Sequence, residues 1–286
     1  MNPVESAIRT YQRGGLKLLS RESSKYAISQ FLRLPIIDSI AFQRSLKEIQ
    51  KRAEQEEGID DVLDTILDVQ PGYGEYKLTA LQLRDELLEL ARNVQQHEPK
   101  VILEIGTANG GTFYTWCRHV QSLEHIVSLD LPGGRFGGGY NQKKTEIFKT
   151  FSDDATMDFI RDDSHNETTL ERIKMDVVGE NKVDFLFIDG DHSYEGVKSD
   201  FQMYKNLMSD DGLVAFHDIV FHPDNQSAVK EIARRSDAED RHLEWGSAHP
   251  GVNVHQFWQE IREKYTTDEI ISHPDQTWGG IGLIYL

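Results

Sequence analysis

Two apolar runs in this 286-residue chain end in side chains that can move a proton or hold a cation. VDFLFIDGDHSYEGVKSDF (183–201) delivers Asp189, Asp191 and His192, and GLVAFHDIV (212–220) ends in His217 and Asp218. Asp189, His217 and Asp218 offer hydrogen-bond acceptors or metal ligands, and His192 is a base that titrates near neutrality. Left unpaired at strand ends, such a cluster would be costly as pure structure, so it points to a site. A third stretch, VILEIGTANGGTFYTW (101–116) followed by HIVSLDL (125–131), suits a nucleoside. Glycines at 106, 110 and 111 let the main chain approach a ligand. The carboxylate of Asp130 can accept from two neighbouring ribose hydroxyls.

The glycine spacing separates two kinds of nucleoside cofactor. A dinucleotide turn reads G-x-G-x-x-G and seats a pyrophosphate on a helix N-terminus. Here the order is Glu104, Gly106, Ala108, Gly110, Gly111. An acid two residues before the first glycine is a poor neighbour for pyrophosphate and a good one for an ammonium and a sulfonium. On these residues the chain resembles the class I S-adenosylmethionine (SAM) dependent methyltransferases, whose first motif is commonly E-x-G-x-G-x-G. Glu104, Gly106 and Gly110 match it, and Ala108 stands for the middle glycine.

Positioning these residues takes alternating strands and helices. The apolar runs predict strands at 101–105, 125–130, 157–161, 184–188 and 212–217, with helices at about 111–120, 142–152, 167–178 and 194–208. Such alternation implies a Rossmann-like α/β fold, a doubly wound and mostly parallel sheet covered on both faces. Its ligands belong at the carboxyl edge. Ala80, Leu83, Leu87, Leu90, Ala91 and Val94 recur at helical spacing before the first strand. An amphipathic helix (251–265) and an apolar strand (281–286) close the chain. Ahead of Pro71, Gly72 and Gly74, short helices are expected at 4–20, 24–33, 38–56 and 59–68. The chain therefore divides into a helical extension (1–72) and a cofactor-binding domain (73–286).

IDGDHSYEGVKSDF followed by GLVAFHD narrows the resemblance to the branch that includes macrolide-sugar O-methyltransferases and relatives of cephalosporin-tailoring enzymes, over about residues 76–286. In that branch's metal-dependent members the acid ending strand four binds a divalent cation, which implies Asp189. Two acids after strand five complete the site there, and His217 and Asp218 hold those positions here. The base of the sugar enzymes matches His192. His217 departs from the all-acid pattern and puts magnesium in question, because imidazole suits softer metals. The resemblance also implies that Asp163, rather than Asp162, accepts from the adenine amino group. The loop LPGGRFGGGYNQ (131–142) is a candidate lid, with Arg135 and Tyr140 as candidate acceptor contacts.

The resemblance as a whole implies methyl transfer from SAM to a hydroxyl of a small molecule or a sugar, with or without a divalent cation. A carboxylate or amine acceptor stands as an alternative. The glycine spacing and Glu104 oppose a nicotinamide oxidoreductase, and His192 with Asp189 opposes a cofactor binder without activity.

Composition removes other classes. A formal net charge of −17 argues against nucleic acid as a partner. One cysteine, Cys117, excludes an internal disulfide and a cysteine-rich metal site. No run of 18 apolar residues and no apolar secretory core occur, so a cytoplasmic location is expected. Charge is uneven, because residues 1–52 carry ten Lys or Arg against four acids. Arg9, Arg13, Lys17, Arg21 and Lys25 form a stripe at helical spacing. That arm suits an anionic membrane surface at the inner face, its own acidic body or a second subunit of a homo-oligomer.

Overall fold

The computed structural model describes residues 35–132, 139–179, 181–223, 225–243 and 251–286. The helices expected at 4–20 and 24–33, the basic stripe and Arg135 lie outside the described residues.

One sheet organises the described chain. Its strands are β1 (Val101–Ile105), β2 (His125–Asp130), β3 (Thr156–Arg161), β4 (Val183–Ile188), β5 (Met208–His217), β6 (Thr266–Ile270) and β7 (Ile281–Tyr285), in the order β3-β2-β1-β4-β5-β7-β6. The first five run parallel, and β7 is antiparallel to both β5 and β6. The chain winds outward from β1 to β3, crosses back to β4 and continues to β5. That reversal makes the carboxyl ends of β1 and β4 the switch point of the sheet, the edge where open α/β sheets bind ligands. The doubly wound α/β architecture predicted from the apolar runs is the one observed.

Both faces of the central strands are covered, which is why they read as continuous apolar runs. Ile102, Phe185, Phe187, Leu213 and Leu283 pack into one core with α3 (Arg84–His97) and α4 (Gly111–His119). Leu103, Ile105, Leu186, Ile188 and Phe216 pack into the other with α7 (Tyr194–Tyr204) and α9 (Val254–Ile261). The crossovers also include α5 (Thr145–Phe148), α6 (Glu167–Arg172) and α8 (Gln226–Arg235). Two elements have no counterpart among those expected from the sequence. β6, at the sheet edge, is mostly polar and half exposed, and α8 buries only Val229. Neither carries a strong apolar signal.

The described part of the extension shares the domain core. Phe42 and Ile49 of α1 (Pro35–Ala53) and Val62 and Leu63 of α2 (Ile59–Leu63) are buried with Ile66 in the same cluster as α3 and α4. Tyr114 and Arg118 of α4 both donate to Glu56. Asp38 accepts from the Tyr76 hydroxyl at 2.5 Å and from Lys143 at 2.7 Å. Each fully buried aliphatic or aromatic side chain contributes roughly 1.5–3 kcal/mol, so the segment from 35 onward is integral to the fold.

Candidate active site

The glycine turn is built against the end of β4. The Asp189 N–H donates to the Ile105 carbonyl at 2.8 Å, which draws the two strand exits together. Gly106 has φ +97°, and a β-carbon there would collide with the Asp189 carbonyl. Glycine is required by both the dihedral and the contact. Gly110, before α4, lies on the ring of Phe148. The Ala108 N–H donates to Asp130 Oδ2 at 2.5 Å and the Leu131 N–H to Oδ1 at 2.7 Å. Burial pushes the Asp130 carboxyl up, against these N–H donors. The Gly139 backbone is a third donor to this carboxylate, which still leaves acceptor capacity for a ribose hydroxyl.

Glu104 is completely buried in β1. Its Oε2 accepts from the Trp116 indole at 2.6 Å, while Oε1 has no hydrogen-bond partner among the described residues. Burial pushes this carboxyl up to about 8, opposed by Trp116 and nearby threonine hydroxyls. A buried acceptor left unpaired beside the turn fits a cofactor that brings a positive group. Asp163 lies two residues beyond β3, is exposed, and accepts from the His165 N–H at 2.9 Å. β3 pairs Arg161 with Asp130, so both acids stand on the same sheet edge.

The second constellation converges as the strand order requires. His192 lies between two carboxylates, with Nε2 3.2 Å from Asp189 Oδ1 and Nδ1 3.6 Å from Asp218 Oδ2. His217 lies deeper, at 4% side-chain exposure, with Nδ1 3.1 Å from Asp189 Oδ1 and 3.3 Å from Asp218 Oδ1. His222 Nε2 and the Gly279 N–H also face Asp218 Oδ1. Asp218 takes φ +64°, a left-handed conformation uncommon outside glycine. Burial alone would lower His192 and raise both acids, but the mutual charges prevail. His192 is pushed up to about 9 and His217 up to about 10, with Asp189 and Asp218 held below the usual range.

Among the described residues, Asp189, His192 and Asp218 each offer one ligand atom close enough to the others to share a metal. The linear motif instead puts His217 in that set and leaves His192 outside it. The difference is positional, because His217 is sealed under the carboxylates and its Nδ1 spans them. One imidazole with two carboxylates fits a borderline divalent ion better than magnesium. Ser193 caps α7, accepting from the Gly196 N–H at 3.0 Å.

Two residues stand elsewhere than the sequence suggests. Tyr140 is buried, with its hydroxyl 2.7 Å from Ser128 Oγ and its ring against Phe148, so it faces the core and not an acceptor. Gln82, unremarked in the sequence, donates from Nε2 to Asp189 Oδ2 at 2.7 Å. A lone glutamine carries no spacing signal; only its place ahead of α3 brings it there.

Against this geometry a sequence family can be set. Residues 103–219 match the family described as a methyltransferase domain. The match opens in β1 and closes just past β5, so it encloses both constellations, from Glu104 to Asp218. The methyltransferase-domain match occupies about two-fifths of the chain and leaves out Gln82. An uncharacterized protein of Acanthamoeba polyphaga mimivirus is 28% identical over 136 residues, which is 48% of this chain and 59% of that one. The chain thus spans less than two thirds of that relative. Among solved structures, the O-methyltransferase TomG of Streptomyces achromogenes, in complex with SAM, aligns with 14% identity over 81% of this chain and 90% of its own, at TM-score 0.49. A Bacillus cereus O-methyltransferase in complex with SAH aligns with 15% identity over 91% and 97%, at TM-score 0.47.

Proposed function

We propose that this chain is a SAM-dependent methyltransferase that acts on a hydroxyl of a small molecule or a sugar. The observation that carries the reading is the contact of Gly106 with Asp189, which sets a nucleoside turn directly against an acid–imidazole cluster within a methyltransferase-domain match. SAM supplies an electrophilic methyl group when bound. Asp130 would hold the ribose hydroxyls, Asp163 the adenine amino group, and Glu104 would face the cationic end. A hydroxyl is a weak nucleophile, and His192 is the side chain placed to take its proton. In the structure the two flanking carboxylates keep His192 charged at neutral pH, so it must first lose a proton. Asp189 and Asp218 would hold a divalent cation beside His192, which would supply a Lewis acid for the acceptor oxygen.

Calorimetry with SAM, S-adenosylhomocysteine and NAD tests the cofactor. The expected result is saturable binding of the first two and none of NAD. NAD binding without SAM binding would overturn the reading. Asp130→Ala should weaken SAM binding by roughly 1.5–3 kcal/mol for each ribose hydrogen bond lost. A screen of hydroxyl, carboxylate and amine acceptors with methyl-labelled SAM tests the substrate class.

A further inference from the structure

Asp200 is a buried charge that the proposed chemistry does not use. It lies in α7 and is fully buried, and among the described residues the charged group that faces its carboxylate is His165. Across the fold it faces an imidazole, with His165 Nε2 3.2 Å from Oδ1. The same Nε2 lies 3.2 Å from the Gly196 carbonyl in the first turn of α7. A fully buried carboxylate is costly unless an opposite charge compensates it. The environment of Asp200 pushes His165 up to about 9, so the imidazole carries that charge at neutral pH.

His165 belongs to the turn that presents Asp163. The Asp163 Oδ1 accepts from the His165 N–H at 2.9 Å, and the Asp163 carbonyl from the Asn166 N–H at 3.2 Å. One residue earlier than His165, the Ser164 carbonyl accepts from the Tyr204 hydroxyl at 2.9 Å, again from α7. Residues 163–166 are therefore fastened to α7 at both ends of one helical face. α7 itself starts at the cap Ser193, directly after His192. The helix that follows the chemical cluster thus also holds the turn at the end of β3.

We infer that His165 and Asp200 are a positioning pair that fixes Asp163 for recognition of the adenine amino group. This rests on the SAM reading above, in which Asp163 faces adenine. Asp163 is exposed at a sheet edge, and an exposed carboxylate discriminates between bases only if its turn is held still. The pair supplies that constraint from behind, without touching the ligand.

The test compares the affinity of the full-length protein for S-adenosylhomocysteine and for its hypoxanthine analogue, in which a carbonyl replaces the amino group. Wild type should favour the adenine compound by roughly tenfold or more, the value of a charge-assisted hydrogen bond. His165→Gln and Asp200→Asn should bring that ratio toward one, mainly by weakening the adenine compound. A general loss of stability would weaken both ligands alike and leave the ratio unmoved. His165 is partly exposed, so its variant gives a reading even where Asp200→Asn fails to fold, which circular dichroism reports. A wild-type ratio kept in folded His165→Gln overturns the inference. A wild type that binds both compounds equally overturns the role of Asp163, and with it the pair. A wild type that binds neither overturns the cofactor reading itself.

Discussion

The Gln82 side-chain amide donates to Asp189 Oδ2 across 2.7 Å, joining two residues 107 positions apart. The oxygen it holds belongs to the carboxylate that pairs with both His192 and His217. Gln82 thereby fixes the rotation of a carboxylate that the ends of β4 and β5 share.

Gln82→Leu should lower methyl transfer by roughly 10–100-fold, since a hydrogen bond to a charged group is worth about 1.5–3 kcal/mol. S-adenosylhomocysteine affinity should stay nearly constant, because Gln82 touches the chemical cluster and not the ribose side. Steady-state kinetics beside calorimetry separate the two effects. Equal losses in both would show that Gln82 shapes the whole site.

Activity and stability should respond to alkali in opposite directions. The active form of His192 as a base is neutral, and its folded pKa lies near 9. Turnover should therefore climb with pH up to about 9, and His192→Ala should remove that limb with a loss of roughly 10²–10⁴-fold. Stability runs the other way: the charged pairing is fully present below the ordinary imidazole value of 6.5 and is lost as pH rises through about 9. A divalent cation bound by Asp189 and Asp218 would lower the His192 pKa and move the rising limb to lower pH. Titrating activity against pH before and after chelation, with Mn²⁺, Zn²⁺ and Mg²⁺ restored in turn, reads this directly.

Glu104 gives a second stability signature. Its carboxyl titrates near 8 in the folded chain against an ordinary value of 4.5, so between these values the native state binds the extra proton. Stability linked to this residue then falls as pH rises. Glu104→Gln should flatten that dependence, with a melting temperature that gains on wild type at pH 8 relative to pH 5. Thermal melts of both proteins at the two pH values decide it.

Removing residues 1–34 should leave a folded protein, because the segment from Pro35 onward carries the buried Phe42 and Ile49 and the Asp38 contacts. The removed piece carries six Lys or Arg against two acids. Sedimentation with anionic liposomes at low salt should show binding by the full chain and loss of it on truncation, since each basic residue near such a surface contributes about 1 kcal/mol. A change in oligomeric mass with no liposome binding would assign the arm to subunit contact. A cut at Gly72 is unsuited to this test, as it strips Val62, Leu63 and Ile66 from the core.

The parts of the fold legible in the sequence are those where burial imposes pattern. β1, β2 and β4 are covered on both faces and read as apolar runs, and the acids and imidazoles at their ends announce the site. β6 is not legible, because an exposed sheet edge imposes no such pattern, whereas α8 has its apolar residues at helical spacing in a sequence that is otherwise polar. Gln82, and the pairing of His165 with Asp200, depend on contacts between residues distant in the chain. Tyr140 is misleading because a glycine-rich surrounding reads as surface, while its hydroxyl in fact closes a buried chain through Ser128 to Thr107. The linear motif names His217 beside Asp189 and Asp218, but that His192 also converges on them is set by depth below the sheet edge, which a linear motif does not carry.

The first turn of α7 leaves no slack behind the chemical cluster. A β-carbon at Gly196 would run into the Asp191 side chain, whose Oδ1 also receives the Ser193 N–H at 2.9 Å. The stretch from Asp189 to Gly196 thus behaves as a gauge block of fixed length between catalytic edge and helix. Exposed Glu195 can vary freely in type, but insertion or deletion of one residue would rotate α7 by about 100° and carry Asp200 away from His165. Divergent relatives that retain this chemistry should therefore keep the length of this interval even where most of its letters have changed.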